Sequence, residues 1–346
     1  MNNKKIIIIG AGPIGLACGI EAEKRNFDYL IIDKGCLVNS LFHYPTNMIF
    51  FSTADRLEIG DVPFVSHSDK PTRKESLEYY RRVADAWNLN IKTYEKVESI
   101  EGSANQFKVI SNKNIYDATQ VIIATGFYDF PNLMNIPGED KSKVKHYFDE
   151  AHPYAYLKLV VVGGGNSAVD VALETFRRGS EVTMVVREPS LKDSIKYWVR
   201  PDIENRIKEG SIKAYFNSEL SEIRDDEVEI KTSSGKASVK NDFVFAMTGY
   251  HPDYSFLKKA GIKISEDEEQ IPSFDEKTFE TNIPGIYLAG VVCGGMDTGK
   301  WFIENARFQA LNIFDDISAK ADFVDLKVLS NSYSCLPTFR LSLHQH

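Results

Sequence analysis

The chain has 346 residues, of which 43% are hydrophobic and 26% are charged, and its formal net charge at pH 7 is -8. This length and balance exclude a disordered or fibrous protein and favour a globular one with two packed domains. The negative charge argues against a nucleic-acid partner held by bulk electrostatics. No apolar run approaches the roughly 18 residues of a membrane span, and the run at the N-terminus is too short for a signal peptide. We therefore expect a cytoplasmic protein with no membrane partner.

The four cysteines, Cys18, Cys36, Cys293 and Cys335, lie far apart in the sequence. They form neither a CxxC pair nor a spacing typical of metal ligands. We expect no structural disulfide framework and no metal site.

The chain opens on an apolar strand that leads into a glycine-rich turn. Residues 6–9 are consecutive isoleucines, a pattern typical of a parallel strand covered on both faces. Gly10, Gly12 and Gly15 then form GxGxxG. In such turns the first glycine permits a tight bend, the second lets backbone approach a pyrophosphate, and the third lets the next helix pack on the strand. The segment predicts a dinucleotide site.

The residues after this turn supply the context that a lone glycine motif lacks. Residues 16–25 are predicted as a helix and residues 29–32 as a second strand, which ends in Asp33. An acid at this distance is placed to receive a ribose hydroxyl. Residues 34–53 are too aromatic for a solvent loop, and we expect them to wrap the cofactor.

The rest of the first unit is predicted as a helix, a longer strand, a short hairpin and a buried strand that delivers Ala124-Thr125-Gly126. In chain order these elements are residues 71–86, 91–100, 106–111 with 114–119, and 121–123.

A second nucleotide unit begins near residue 157. A strand leads into GxGxxA at residues 163–168, and after a helix the next strand ends in Arg187, with Lys192 and Lys196 close behind. An acid there would accept the 2'-hydroxyl of NAD, whereas Arg and Lys suit the 2'-phosphate of NADP. We therefore predict NADPH in preference to NADH, with the neighbouring Glu188 as the feature that favours NADH.

This second unit closes with strands that end in Thr248-Gly249, and the chain then returns through a turn and a strand to Gly290. A helix is predicted over residues 301–318, and the residues after it lack clear periodicity. The fold class is therefore α/β, with two Rossmann-like dinucleotide-binding domains, the second inserted into the first. The predicted division is 1–130 and 251–322 for the first domain, 131–250 for the second, and 323–346 for a C-terminal tail.

These features together resemble the flavin-dependent pyridine nucleotide-disulfide oxidoreductases in their small, thioredoxin-reductase-like form, over roughly residues 4–320. Several segments are similar to the YpdA-type bacillithiol-disulfide reductases, namely residues 39–40, 44–47, 50–52, 57–61, 70–73, 137–139, 146–148, 152–154, 243–253 and 302–305. The resemblance implies FAD in the first domain, NADPH in the second, hydride transfer from nicotinamide to flavin, and reduction of a low-molecular-weight disulfide. It also implies a homo-oligomer, either a dimer or a tetramer.

Motifs and resemblance together predict two groups of binding residues. The FAD set is Gly10, Gly12, Pro13, Ile14, Gly15, Asp33, Lys34, Asn39, Ser40, Tyr44, Ser52, Val97, Ala124, Thr125, Gly126, Gly290, Val291, Glu304 and Asn305. The NADPH set is Gly163, Gly165, Asn166, Ser167, Ala168, Arg187, Lys192, Thr248 and Gly249.

The chain departs from the related patterns at two places that matter for chemistry. Residues 146–158 contain no cysteine, so the CxxC that thioredoxin reductases carry there is excluded. YpdA-type proteins usually have a cysteine, the proposed thiol nucleophile, where this chain has Ile14, and isoleucine cannot form a mixed disulfide. The wider superfamily's Asp after the late glycine is replaced by Val291, an absence shared with the YpdA type.

No residue is assigned as catalytic. Cys293, which follows Gly290, and His43, in the aromatic segment, are the candidates, each with a packing role as the alternative. Besides the disulfide reductase, three functions stay open: a ferredoxin or flavodoxin NADP reductase, which would pass electrons to a small redox protein, a flavin monooxygenase, and a non-catalytic sensor that binds FAD and NADPH.

Overall fold

A computed structural model describes the backbone of residues 5–333 and the side chains as far as residue 321. Cys335 and the end of the predicted tail lie outside the described residues. The strands are β1 (Lys5–Ile9), β2 (Asp28–Ile32), β3 (Ile91–Lys92), β4 (Val97–Ser103), β5 (Gln106–Ser111), β6 (Ile115–Ala118), β7 (Gln120–Ile123), β8 (Phe130–Pro131), β9 (Val144–Lys145), β10 (Lys158–Val162), β11 (Glu181–Val185), β12 (Lys213–Tyr215), β13 (Glu219–Ile223), β14 (Glu227–Thr232), β15 (Gly235–Lys240), β16 (Phe243–Ala246), β17 (Tyr250–His251) and β18 (Ile286–Leu288). The helices are α1 (Pro13–Lys24), α2 (Asn39–Phe42), α3 (Arg73–Ala86), α4 (Asn166–Phe176), α5 (Arg200–Lys208), α6 (Tyr254–Lys259), α7 (Ile303–Ala306) and α8 (Gln309–Tyr333).

The first domain is built on a five-stranded parallel sheet in the order β18-β7-β1-β2-β3. Its central strand β1 is covered on both faces, and Ile6, Ile7 and Ile8 have no exposed surface. Such two-sided burial explains why the strand reads as an uninterrupted apolar run. β18 pairs with β7 although the whole second sheet lies between them in sequence. The α/β class and the insertion of the second domain are thus confirmed.

The second domain repeats this architecture with a parallel sheet in the order β12-β11-β10-β16-β9. It has apolar cores of its own, on the two faces of the sheet, separate from that of the first domain. Two antiparallel three-stranded sheets, β4-β5-β6 and β13-β14-β15, accompany the first and second parallel sheets respectively. The glycine turn of each domain therefore leaves the carboxyl end of a central strand, where open α/β sheets bind ligands.

Two linkers connect the domains, and they pair as the antiparallel strands β8 and β17. The ring of Tyr128, just before β8, lies 4.6 Å from the ring of Tyr250 in β17. It also lies 4.7 Å from the ring of Tyr44 in the aromatic segment of the first domain. The two linkers therefore pack against each other and against the first domain. We call the pair of linkers, with Tyr128 and Tyr250, the hinge.

Two predicted elements differ from the structure. The strand expected over residues 91–100 is two strands, because the chain turns at Tyr94 with φ +55° and β4 leaves the parallel sheet to pair with β5. The helix expected over residues 301–318 breaks into α7 and α8, and α8 continues to Tyr333. The beginning of the segment 323–346, expected as a tail, is therefore helical. None of the described helices combines the length and apolarity that crossing a membrane requires.

Candidate active site

The first glycine turn is shaped by close backbone approach. A Cβ atom on Gly10, where φ is +109°, would lie 2.4 Å from the carbonyl oxygen of Ala124, and one on Gly15 would lie 1.9 Å from that of Gly10. Both positions therefore require glycine for packing alone. Gly12 is different, because no described atom lies within 4 Å of a Cβ placed there. The open space beside Gly12 is where a bound pyrophosphate is expected to approach the backbone.

Asp33 holds this turn in place. One carboxylate oxygen accepts a hydrogen bond from the Ala11 amide at 2.7 Å and the other accepts one from the Gly35 amide at 2.8 Å. Burial raises the pKa of this carboxyl, and the two backbone amides act in the opposite direction. Since each carboxylate oxygen has a second lone pair, these bonds leave acceptor capacity for a ribose hydroxyl.

Asp33 also lines a small cavity of about 100 Å³ at the edge of the first sheet. The cavity brings together eight members of the FAD set, namely Gly10, Asp33, Lys34, Asn39, Ser40, Val97, Thr125 and Gly126. Lys34 forms an ion pair with Asp129, at 2.7 Å, on its wall. The cavity lies beside Asp33, the acid expected to bind a ribose, and it therefore suits the adenosine end of a dinucleotide.

The second glycine turn has the same construction. A Cβ on Gly163, where φ is +123°, would lie 2.5 Å from the carbonyl oxygen of Met247, whereas Gly165 has only the Lys192 side chain within 4 Å, at 3.8 Å. Ala168 is fully buried in the core of this domain. The turn thus offers open backbone at Gly165, as the first turn does at Gly12.

One large cavity of about 1410 Å³ connects the two domains. From the second domain it is lined by eight members of the NADPH set, namely Gly163, Gly165, Asn166, Ser167, Arg187, Lys192, Thr248 and Gly249. From the first domain it is lined by four members of the FAD set, namely Tyr44, Ser52, Val291 and Glu304. The open backbone of the second turn and the expected flavin face therefore share a single space.

A basic loop runs from residue 186 to residue 199, between β11 and α5, along this cavity. Asn166 ties the loop to the glycine turn, because its amide nitrogen donates to the Ser194 carbonyl at 2.9 Å and its amide oxygen accepts from the Lys196 backbone at 2.8 Å. The Lys192 amide donates to the Gly164 carbonyl at 2.9 Å. Lys196 lines the cavity and pairs with Asp170 at 2.8 Å. The structure thus brings Lys196 to the same cavity as Lys192.

The expected flavin face forms where α7, α8 and the first glycine turn meet. Gly290 packs against Ile14, since a Cβ on Gly290 would lie 3.3 Å from the Ile14 side chain. The Gly290 amide donates to the side chain of the buried Gln309 at 2.6 Å. Ser52 donates to Glu304 at 2.5 Å. These contacts hold the cavity wall together across three separate parts of the chain.

Asn305 has its side chain committed to the start of α7. Its amide oxygen accepts from the Phe302 backbone at 2.7 Å and its amide nitrogen donates to the Lys300 carbonyl at 3.0 Å. Capping thus accounts for this side chain, and it does not line the cavity.

The candidate nucleophile and proton donor lie away from both cavities. Cys293 and Cys18 are buried in the core, where burial raises the pKa of each thiol and keeps it protonated. Cys36 is half-buried, with its sulfur 3.7 Å from the side chain of Asn39. His43 is exposed at the end of α2. Among the described residues, no cysteine lines either cavity.

The residues fit two dinucleotides. Open backbone lies beside Gly12 and Gly165, where pyrophosphates approach such turns. Asp33 keeps acceptor capacity for a ribose hydroxyl beside the first turn, and Arg187 and Lys192 line the large cavity near the second.

Two parallel sheets with glycine turns at their carboxyl ends, joined by one cavity, are typical of the proteins that bind two nucleotide cofactors. The chain belongs to the pyridine nucleotide-disulphide oxidoreductase family, whose model matches residues 7–290. It is a flavin-dependent oxidoreductase that uses a nicotinamide cofactor.

The relatives support the narrower resemblance. Bacilliredoxin reductase Bdr of Bacillus subtilis (strain 168) is 42% identical over 92% of this chain and 99% of its own length. Solved structures of bacillithiol disulfide reductase Bdr (YpdA) from Staphylococcus aureus and Bacillus cereus each give a TM-score of 0.89, with 40% and 42% identity. Each comparison covers 92% of this chain and 99% of the solved chain. The resemblance to the YpdA type is confirmed.

Proposed function

We propose that this protein is an NADPH-dependent FAD oxidoreductase that passes hydride from NADPH to the flavin and then reduces a low-molecular-weight disulfide of the bacillithiol type. The observation that carries the proposal is the single cavity between the second glycine turn and the expected flavin face. The flavin, when bound, supplies a two-electron carrier between nicotinamide and disulfide. The protein's own residues bind and orient the two dinucleotides.

The choice of cofactors rests on the two cavities. FAD suits the first domain because a small cavity beside Asp33 extends the site beyond the first turn, where an adenosine would lie. NADPH suits the second domain because Arg187, Lys192 and Lys196 line the large cavity near the second turn. Their positive charges complement the 2'-phosphate that distinguishes NADPH from NADH.

Disulfide reduction in this protein proceeds without a cysteine at position 14. The overall reaction takes one disulfide, NADPH and one proton to two thiols and NADP⁺, so electrons pass from the reduced flavin to the disulfide. The ferredoxin or flavodoxin reductase, the monooxygenase and the sensor are not favoured, since the most similar relatives described above are disulfide or bacilliredoxin reductases.

The test is anaerobic stopped-flow absorbance. The flavin-loaded protein is reduced with NADPH and then mixed separately with bacillithiol disulfide, an oxidised bacilliredoxin, and oxidised ferredoxin. We expect rapid flavin reoxidation with the disulfide. We also expect a Cys293→Ser variant to react at the wild-type rate, because Cys293 lies outside the cavity. Reoxidation by ferredoxin alone would contradict the proposal, and reoxidation by bacilliredoxin alone would move the acceptor to a protein disulfide.

A further inference from the structure

An aromatic cluster joins the two domains next to the large cavity, which one of its members, Phe51, lines. Tyr197 and Trp198 come from the basic loop, with ring centroids 4.9 Å apart, and the ring of Phe51 in the first domain lies 5.7 Å from that of Trp198. The ammonium of Lys70, also in the first domain, lies 4.5 Å from the Trp198 ring centroid, 5.3 Å from that of Phe51 and 5.8 Å from that of Tyr197. We call these four residues the aromatic clamp.

The first-domain side of the clamp is held by backbone contacts. The Phe50 amide donates to the Pro71 carbonyl at 2.9 Å, which fixes the segment that carries Phe51 against the segment that carries Lys70. The Lys70 ammonium also donates to the Phe51 carbonyl. The described contacts of the Lys70 ammonium are this carbonyl and the three aromatic rings. Its charge is therefore directed at the aromatic rings, to which a cation is attracted.

The second-domain side of the clamp lies on the loop that carries the phosphate-directed lysines. Trp198 is two residues from Lys196, and the Val199 amide donates to the Lys196 carbonyl at 2.9 Å. The Lys196 amide in turn donates to the side chain of Asn166, at the start of α4. A displacement of Trp198 would therefore move Lys196 relative to the second glycine turn.

We propose that Lys70, a residue of the flavin domain, is a positioning residue for NADPH binding. Through Trp198 it holds the basic loop in the conformation that presents Lys192 and Lys196 to the dinucleotide phosphates. The inference rests on the proposed function, in which this loop binds NADPH. A residue of the first domain would therefore strengthen binding of NADPH to the second domain. This binding would depend on the contact between the two domains.

The test compares Lys70→Met, which keeps the aliphatic stem and removes the charge, with Lys70→Arg, which keeps a cation. Lys74→Met is the control, because Lys74 is an exposed lysine in the first turn of α3, close to Lys70 in sequence, and has no described contact with the clamp. Calorimetry on the flavin-loaded proteins measures NADP⁺ binding. We expect Lys70→Met to weaken binding roughly three- to tenfold, Lys70→Arg to restore it, and Lys74→Met to match the wild type.

Two further measurements separate positioning from a general structural role. The limiting rate of flavin reduction at saturating NADPH is expected to be unchanged in Lys70→Met, because Lys70 itself lines neither cavity. Trp198 emission, isolated by subtraction of a Trp198→Phe variant, is expected to change in Lys70→Met before NADP⁺ is added.

Unchanged NADP⁺ affinity in Lys70→Met would overturn the inference, as would a loss that Lys70→Arg does not recover. A wild-type protein that fails to bind NADP⁺ would instead refute the proposed function, so the two failures are distinguishable.

Discussion

At the scale of single residues, the two glycine turns separate positions that the fold requires from positions that a ligand requires. Gly15 is required by the fold, because any side chain there would collide with the Gly10 carbonyl. Gly12 has extended backbone, with φ -73° and ψ 176°, and no described atom within 4 Å of its Cβ position. Alanine therefore fits Gly12 sterically in the protein itself, and the conflict arises only with a bound pyrophosphate.

This difference gives a matched pair of variants. We expect Gly12→Ala to keep the thermal midpoint of the flavin-free protein and to weaken FAD binding by roughly tenfold or more. We expect Gly15→Ala to lower the midpoint of the same flavin-free protein, because helix α1 must move away from β1. Thermal melting of the stripped proteins and flavin titration provide the measurements. If the Gly12→Ala protein binds FAD as tightly as the wild type, the pyrophosphate does not approach the backbone at Gly12.

At the scale of elements, helix α3 fixes the segment that leads to the clamp, and its start is closed by a capping box. The Glu75 carboxylate accepts from the Thr72 amide at 2.7 Å and from the His67 amide at 2.8 Å, and Thr72 in turn accepts from the Glu75 amide at 3.3 Å. The hydrogen bond from the His67 amide is the largest of the effects that lower the pKa of Glu75 to about 2. The helix start therefore depends on a carboxylate that stays ionised in the folded protein.

Because the folded-state pKa lies below the unfolded value of about 4.3, the stabilisation from Glu75 is present above that value and is lost as the pH falls toward about 2. We expect Glu75→Gln to lower the thermal midpoint at pH 7 and to lower it less at pH 3. Thr72→Ala is expected to cost about 1 kcal/mol, with Thr72→Ser as the conservative control. Calorimetry at the two pH values measures both effects, and a pH-independent loss in Glu75→Gln would argue against the ionised cap.

Elements with a local sequence signal could be predicted, whereas features that depend on an unusual backbone angle or on distant contacts could not. β1, β10 and the glycine turns were predicted because their signals are local: an apolar run followed by glycines at fixed spacing. The break between β3 and β4 was missed because it depends on a left-handed residue, Tyr94, whose side chain gives no such signal. The contact between Lys70 and Trp198 was also missed, since it joins distant parts of the chain, and only the folded domains bring the two together.

At the scale of the whole molecule, the hinge and the clamp hold the two domains around one cavity. In the hinge, β8 pairs with β17 and the ring of Tyr128 packs at a tilt against that of Tyr250. The clamp joins the two domains at a second place. Since the second turn and the expected flavin face already share a cavity, we expect nicotinamide and flavin to meet without a large rotation of one domain.

Small-angle scattering tests this arrangement. We expect the radius of gyration of the flavin-loaded protein to stay the same when NADP⁺ is added to saturation, because binding fills a cavity that is already formed. The comparison is made on one oligomeric species isolated by size exclusion, with and without the nucleotide. A change of several ångströms on binding would mean that the domains rotate to accept the cofactor.

The pairing of β18 with β7 also bears on how the chain reaches its native state. β7 ends at Ile123 and β18 begins at Ile286, so the first sheet cannot be completed until the whole inserted domain has been synthesised. At translation rates of about 5–20 residues per second, that delay is on the order of ten seconds. The inserted domain, whose strands are contiguous in sequence, is thus able to fold first. The sheet of the first domain is then completed by β18, the last of its strands to be synthesised, which leads the chain to Gly290.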